Sequence, residues 1–279
     1  MSGLVKAEYC RNAGLGNKLF PWARGVVFAQ ENNFRMIDPI WFSPRGAAVT
    51  RGGINYAKAI KKIWLYNNFI KRATDVSTFK NLLLSINTFI SCSDLNDANN
   101  QLALHKNADF LFRWNTNHDF ADLLSHKALI TAALNEIAHP KSKAFVQQQS
   151  DKAFIGINIR TGKDFINKHS NKKGYLQTEM DWFVEALREI RKTHTDLPAL
   201  VVSDGGNNEL KKILEEPNTT LLDSSNAIED LLVLSHSTIL LGSGNSTFSA
   251  WASFLGGMET YSSESTPFNK FVLPNTKVM

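Results

Sequence analysis

The chain has 279 residues, 43% hydrophobic and 20% charged, with a formal net charge of +5. This balance excludes disordered, collagen-like and mucin-like classes, and the length predicts two domains rather than one small core. Cys10 and Cys92 form no C-x-x-C spacing for metal or redox chemistry. No apolar run approaches the roughly 18 residues that span a bilayer, and no leader pattern opens the sequence, so a reducing, cytoplasmic setting is expected.

In chain order, a strand is predicted near Leu4–Tyr9, followed by the turn Gly14-Leu15-Gly16-Asn17. A helix follows in which Leu19, Phe20, Ala23, Val26 and Val27 share a face, and Phe34–Ile37 reads as the next strand. Glycines between strand and helix let a ligand approach the backbone, and helix N–H groups attract anions. A tight turn with no ligand fits the same four residues.

Residues 41–80 carry eight cations (Arg45, Arg51, Lys58, Lys61, Lys62, Lys71, Arg72, Lys80) against Asp75 alone, a net +7. Ile60, Ile63 and Trp64 recur at helical spacing beside Lys58, Lys61 and Lys62, as in a basic amphipathic helix on an anionic membrane or a solvated helix face. No zinc finger, aromatic RNA-binding motif or recognition helix accompanies the charge, so nucleic acid is not expected as a partner. The polar stretch Pro140–Ser150 marks the domain boundary, giving domains 1–145 and 146–279.

From Phe154 onward, short apolar runs alternate with stretches of helical period, the signature of an α/β fold with a parallel sheet. Strands are predicted at Phe154–Ile159, Ala199–Ser203, Thr220–Asp223, Thr238–Leu241 and Thr260–Ser262, with helices near 177–192, 207–215, 226–235 and 246–256. The stripe Met180, Phe183, Val184, Leu187 and Ile190 assigns the first of these helices to covering the sheet.

The candidate site residues cluster after these strands. Asn158-Ile159-Arg160-Thr161-Gly162-Lys163-Asp164 puts Arg160 at a strand's carboxyl end, where open α/β sheets bind ligands. Its planar fork suits a diphosphate; a surface ion pair with Asp164 is the competing reading. The polar stretch through Tyr175 is long enough for a flap over a site. Gly242-Ser243-Gly244-Asn245-Ser246-Thr247-Phe248-Ser249 is an anion cradle in which Asn245 or Ser246 also serves as an N-cap. Asp204 ends another strand, where it either meets a ribose or base edge or forms an Asp–Gly turn; Asp230 either faces a nucleotide or is a solvated helix carboxylate. Asn218 and Asn245 open glycosylation sequons, which count for little without a leader. His118, His169 and His236 form no spaced metal set and no D-x-D pair stands out, so Arg and helix dipoles are expected to do the electrostatic work and no metal is expected.

Together and in this order, GLGNKLFPWARG, GINIRTGKDF and NSTFSAWASFLGG resemble the G-x-G-N, H-x-R-R-x-D and NSTFS-W elements of the α-1,2-fucosyltransferases (glycosyltransferase family 11), relatives of the α-1,6- and protein O-fucosyltransferases. ALVVSDGG falls where that family has a strand ending in Ser-Asp. The resemblance implies a GT-B-like fold of two Rossmann-like domains facing a donor cleft, the first on the acceptor side and the second on the donor side. It further implies GDP-fucose as donor, inversion at the sugar carbon, no obligatory metal and a glycan acceptor; the basic 41–80 segment suggests a lipid-linked oligosaccharide on an anionic membrane surface as that acceptor. By motif position, Arg160 is the catalytic residue and binds the donor phosphates. Gly14, Gly16, Asn17, Asn158, Asp204, Asn245, Ser246, Thr247 and Phe248 are the other donor contacts. Asn158 replaces the motif His, Thr161 replaces the second Arg, and the acid moves one place to Asp164. These edits also fit a relative with another nucleotide sugar, or a nucleotide-binding scaffold without activity. Asp38, His118, Asp119 and Asp164 are chemically able bases.

Overall fold

The computed structural model describes residues 3–8, 14–37, 89–113, 118–162, 165–166, 175–271 and 273–279. The basic 41–80 segment, Cys10, Asp38, Lys163, Asp164 and His169 lie outside the described residues. The chain divides into two units, Met1–Lys141 and Ser142–Met279.

In the first unit, β1 (Leu4–Ala7), β2 (Arg35–Ile37), β3 (Phe89–Cys92) and β4 (Asp109–Phe112) form a parallel sheet in the order β2-β1-β4-β3. Helix α1 (Leu15–Glu31) buries Leu19, Phe20, Ala23 and Val27 of the predicted stripe, with Val26 half-buried at its edge. Phe28 of α1 packs on Phe110 and Phe112 of β4 at ring distances of 4.9 and 5.7 Å. Helix α2 (Leu95–Leu104) is rich in Asn and Asp, poor helix formers, and buries only Leu95 and Ala98. Its start is set by Asp94, which accepts from the Asp97 N–H at 2.9 Å. Cys92 is buried in β3. Burial first, and then Asp97 and Asp94, push its thiol up to about 12, so it packs as a neutral side chain.

Arg24 of α1 is a fully buried cation. It forks onto Asp122, with Nε to Oδ2 at 2.8 Å and Nη2 to Oδ1 at 3.0 Å, and Oδ2 also accepts from the Leu95 N–H opening α2. The pair ties α1, α2 and the turn before α3 (Lys127–Ile137) together. Ile130, Leu134 and Ile137 are the buried face of α3.

The second unit opens on α4 (Pro140–Ser150), a helix where the sequence shows only a polar boundary. Ser142 and Val146 are its buried residues, too few to print a stripe. The helix is anchored because the Ser142 hydroxyl donates at 2.8 Å to Glu229, whose other oxygen accepts from the Ser225 N–H and hydroxyl. Six parallel strands follow in the order β12-β11-β10-β5-β8-β9: β5 (Ile155–Ile159), β8 (Ala199–Ser203), β9 (Thr219–Leu221), β10 (Ile239–Gly242), β11 (Glu259–Ser262) and β12 (Thr276–Val278).

Every residue of the central β5 is buried, as a parallel strand covered on both faces requires. Ile155, Ile157 and Ile159 meet Phe183, Leu187 and Ile190 of α5 (Met180–Arg191) and Leu210 and Ile213 of α6 (Asn207–Leu214). The alternate residues face α7 (Ala227–Leu234) and α8 (Thr247–Gly256): a Cβ on Gly156 would meet Ser237 just after α7, and Asn158 bonds Ser249 of α8. Each unit is a parallel α/β, Rossmann-like layer. Among the described residues no helix is long and apolar enough to cross a membrane.

Candidate donor-binding site

The order of strands defines the site. From β5 the chain builds outward through β8 to β9, then returns to lay β10, β11 and β12 on the other side. The reversal places a crevice at the carboxyl ends of β5 and β10, the position where open α/β sheets bind ligands. Arg160 follows β5, Asp204 follows β8 and the Ser243–Ser246 loop follows β10.

Hydrogen bonds knit these three strand ends. The Arg160 N–H donates to the Ser243 hydroxyl at 2.9 Å, and Ser243 donates in turn to the Asn158 carbonyl at 3.1 Å. Arg160 Nη1 lies 3.1 Å from Asp204 Oδ2, with side chains 28% and 16% exposed, so the pair is accessible yet partly desolvated. The other Asp204 oxygen accepts from the Thr161 N–H at 2.9 Å. The carboxylate that pairs with Arg160 among the described residues is therefore Asp204, which orients the guanidinium and closes the β5–β8 loops.

Thr161, at the position of the motif's second Arg, also turns inward. Its hydroxyl donates to Glu209 at 3.4 Å, and the same Glu209 oxygen accepts from the Gly206 N–H at 2.8 Å. A Cβ on Gly205 would sit 2.5 Å from the Thr161 hydroxyl and 2.9 Å from the Glu209 carboxylate, so a side chain there would displace this bond.

At the third strand end, Asn245 adopts a left-handed backbone (φ 60°), a conformation Asn tolerates better than most residues. Ser246 is the N-cap of α8, its hydroxyl accepting from the Ser249 N–H at 3.3 Å. The Thr247 and Phe248 N–H groups, in the first turn, have no carbonyl within the helix to bond. They and the helix dipole constitute an anion-binding end. Gly244 packs so closely under the 263–268 loop that a Cβ would lie 1.4 Å from the Thr266 carbonyl oxygen.

Two side chains read as donor contacts are committed within the fold. Asn158, assigned to the donor, is 2% exposed; its Oδ1 accepts from Ser249 at 2.6 Å and its Nδ2 donates to the Val202 carbonyl at 3.5 Å. Since even-numbered β5 residues point at α8, its side chain braces the site from below. The Ser246 hydroxyl is likewise committed to capping and the residue is buried, so its backbone rather than its side chain is available. Of the stretch read as a flap, Phe165–Ile166 (β6) and Tyr175–Leu176 (β7) pair as a short parallel ladder, and residues 167–174 lie outside the described residues. Asp230 of α7 is half-buried and accepts from the Ser224 hydroxyl.

In the first unit, Gly14 is the N-cap of α1 and no side chain caps it, so the first-turn N–H groups of Leu15, Gly16 and Asn17 have no intrahelical partner. Pro21 inside α1 removes the N–H that the Asn17 carbonyl would otherwise receive. His118 packs its ring 5.4 Å from Phe20, and Asp119 accepts from the Ala121 N–H. Glu209, which braces Thr161 and Gly206, was not legible in the sequence, because it lies in no glycine or Arg motif.

Fold and strand-end geometry together define an α/β protein of two Rossmann-like units, the second with a ligand-type switch point. The sequence profile of glycosyl transferase family 11 matches residues 70–270, well over half of the chain. The chain belongs to glycosyl transferase family 11.

Among solved structures, the fold is similar to fucosyltransferase NodZ from Bradyrhizobium, with a TM-score of 0.55, 10% identity, and coverage of 90% of this chain and 93% of that one. It is also similar to POFUT1 in complex with GDP-fucose (TM-score 0.51, 11% identity, 100% and 98% coverage). A variant of FUT1 from Arabidopsis thaliana in complex with GDP matches with a TM-score of 0.50, 12% identity, and 94% and 70% coverage. No curated protein sequence matches.

Proposed function

We propose that the chain transfers L-fucose from GDP-fucose, with inversion, to a glycan hydroxyl, forming an α-1,2 linkage in bacterial-type surface polysaccharide assembly. The observation that carries this reading is the Arg160–Asp204 pair standing beside the α8 helix start at the switch point of a parallel sheet. The GDP-fucose held by a protein of similar fold supports the choice of donor, and the motif resemblance supports linkage and inversion.

In the reaction, an acceptor oxygen bonds to the anomeric carbon from the face opposite GDP. The carbon–oxygen bond to the β-phosphate breaks with its electron pair on the departing GDP, and the acceptor proton passes to a base. Arg160 and the Thr247 and Phe248 N–H groups stabilise charge on the diphosphate, which grows as the bond breaks. Asp204 holds the guanidinium in place, and Asn158 holds the strand end. Gly14, Gly16 and Asn17 enter the proposal on motif position alone.

Calorimetry with GDP, UDP, ADP and CMP, then GDP-fucose and GDP-mannose, tests the donor. Selective GDP binding with a further preference for GDP-fucose is expected; preference for UDP or CMP assigns a different sugar nucleotide, and binding without transfer assigns a scaffold. The lipid-linked acceptor reading rests on the net +7 of residues 41–80. It predicts salt-sensitive sedimentation with anionic vesicles that is lost when Lys58, Lys61 and Lys62 become Glu; salt-independent or absent binding contradicts it.

A further inference from the structure

Lys270 stands in the short helical turn Asn269–Phe271, anchored by the fully buried Phe268 and Phe271, far in sequence from every motif. Its ammonium donates to the Asn245 carbonyl at 3.2 Å, one residue before the N-cap of α8. It also lies 5.0 Å from the centroid of Tyr175 and 4.8 Å from that of Phe271. Tyr175 is β7's half of the short ladder with β6, and its ring lies 5.8 Å from that of Phe165. The Arg160 guanidinium carbon is 5.2 Å from the Phe165 ring centroid. Phe165 and Tyr175, paired across the short ladder, thus each meet one of the two cations.

The two cations differ in their surroundings. Arg160 has the Asp204 carboxylate. Lys270 is exposed, and among the described residues no carboxylate pairs with it: its partners are a carbonyl and two rings. It also sits at the wrong end of a helix, since cations are disfavoured beside the positive N-terminal pole. An exposed ammonium held next to that pole by a carbonyl and two aromatic faces is placed to meet an anion at the helix start.

We propose that Lys270 is the second cation of the donor site, binding the diphosphate together with Arg160 and the α8 start and stabilising it as it departs. The proposal rests on the diphosphate reading above. It also accounts for Thr161: the second Arg position of the motif is turned to bracing Asp204 and Glu209, and the missing charge comes from the C-terminal end of the chain.

The test is calorimetric titration of wild type, Lys270→Met and Lys270→Arg with GDP and with guanosine, alongside donor turnover. Lys270→Met is expected to weaken GDP about tenfold or more, the size of a lost charge-assisted contact. Guanosine binding should be unchanged, Lys270→Arg should recover most of the GDP affinity, and the kcat/KM of Lys270→Met should fall further than its GDP affinity. Wild-type GDP affinity in Lys270→Met overturns the role of Lys270 and leaves the donor site standing. Equal losses for GDP and guanosine overturn it in favour of a structural role. Failure of the wild type to bind any nucleoside diphosphate overturns both readings.

Discussion

Arg160→Ala is expected to lower kcat/KM by about 10²- to 10³-fold with the melting transition unchanged, as removal of a preorganised donor of positive charge does. The guanidinium stands at the end of β5, 28% exposed, paired with Asp204 and over one ring, that of Phe165. Its loss costs little folding energy but leaves charge on the diphosphate unmet. Arg160→Lys should recover only part, because an ammonium cannot reproduce a planar fork onto Asp204 and a phosphate together. Asp204→Asn should fall between, since the amide oxygen can still accept from the Thr161 N–H while the charge that orients Arg160 is gone. A GDP-release assay on the three variants gives the ranking; near-wild-type turnover in Arg160→Ala would remove this residue from the reaction.

The second large effect concerns stability. Asp122→Ala should destabilise the first unit by roughly 3–5 kcal/mol, because it strands the Arg24 guanidinium in the core. Arg24 and Asp122 have side chains 1% and 10% exposed, and the carboxylate also serves the Leu95 N–H at the start of α2. With a urea slope of about 2 kcal/mol/M, the first unfolding transition should move by roughly 1.5–2.5 M. The double change Arg24→Met with Asp122→Leu should recover most of that loss, since replacing both charges removes the desolvation penalty as well as the attraction. A midpoint shift of less than about 0.5 M in Asp122→Ala would show that the pair is not the buried cross-link described.

How much of this was written in the sequence depended on burial. The strands of the second unit's sheet centre, such as Ala199–Ser203, were legible because burial on both faces makes them apolar runs bounded by polar loops. Thr276–Val278, an edge strand with no buried residue, carries no such mark. Leu95–Leu104 was hidden by its Asn and Asp content; Asp94 and contacts across the fold, not propensity, make it a helix. Pro140–Ser150 read as a boundary because its anchor is a single hydroxyl meeting Glu229, 87 residues later.

The site divides in the same way. Arg160 and residues 245–248 stood out because glycine, Arg and small hydroxyl residues directly after apolar strands have few other uses. The inward turn of Asn158 followed from strand alternation once the covering helices were known. The bonds of Thr161 to Asp204 and Glu209, and of Lys270 to Asn245, join residues 25 to 48 positions apart. No local pattern encodes such contacts; they exist only because the sheet order brings those loops together.

The most direct test of the account is a crystal structure of the protein with GDP. The diphosphate is expected within hydrogen-bond distance of the Arg160 guanidinium and the Thr247 and Phe248 N–H groups, at the carboxyl ends of β5 and β10. A second basic hollow of about 300 Å³, lined by Arg188, Arg191, Lys192 and Glu216, lies beside Asn218 at the amino end of β9. GDP ordered there, with the Arg160 crevice empty, would contradict the central claim.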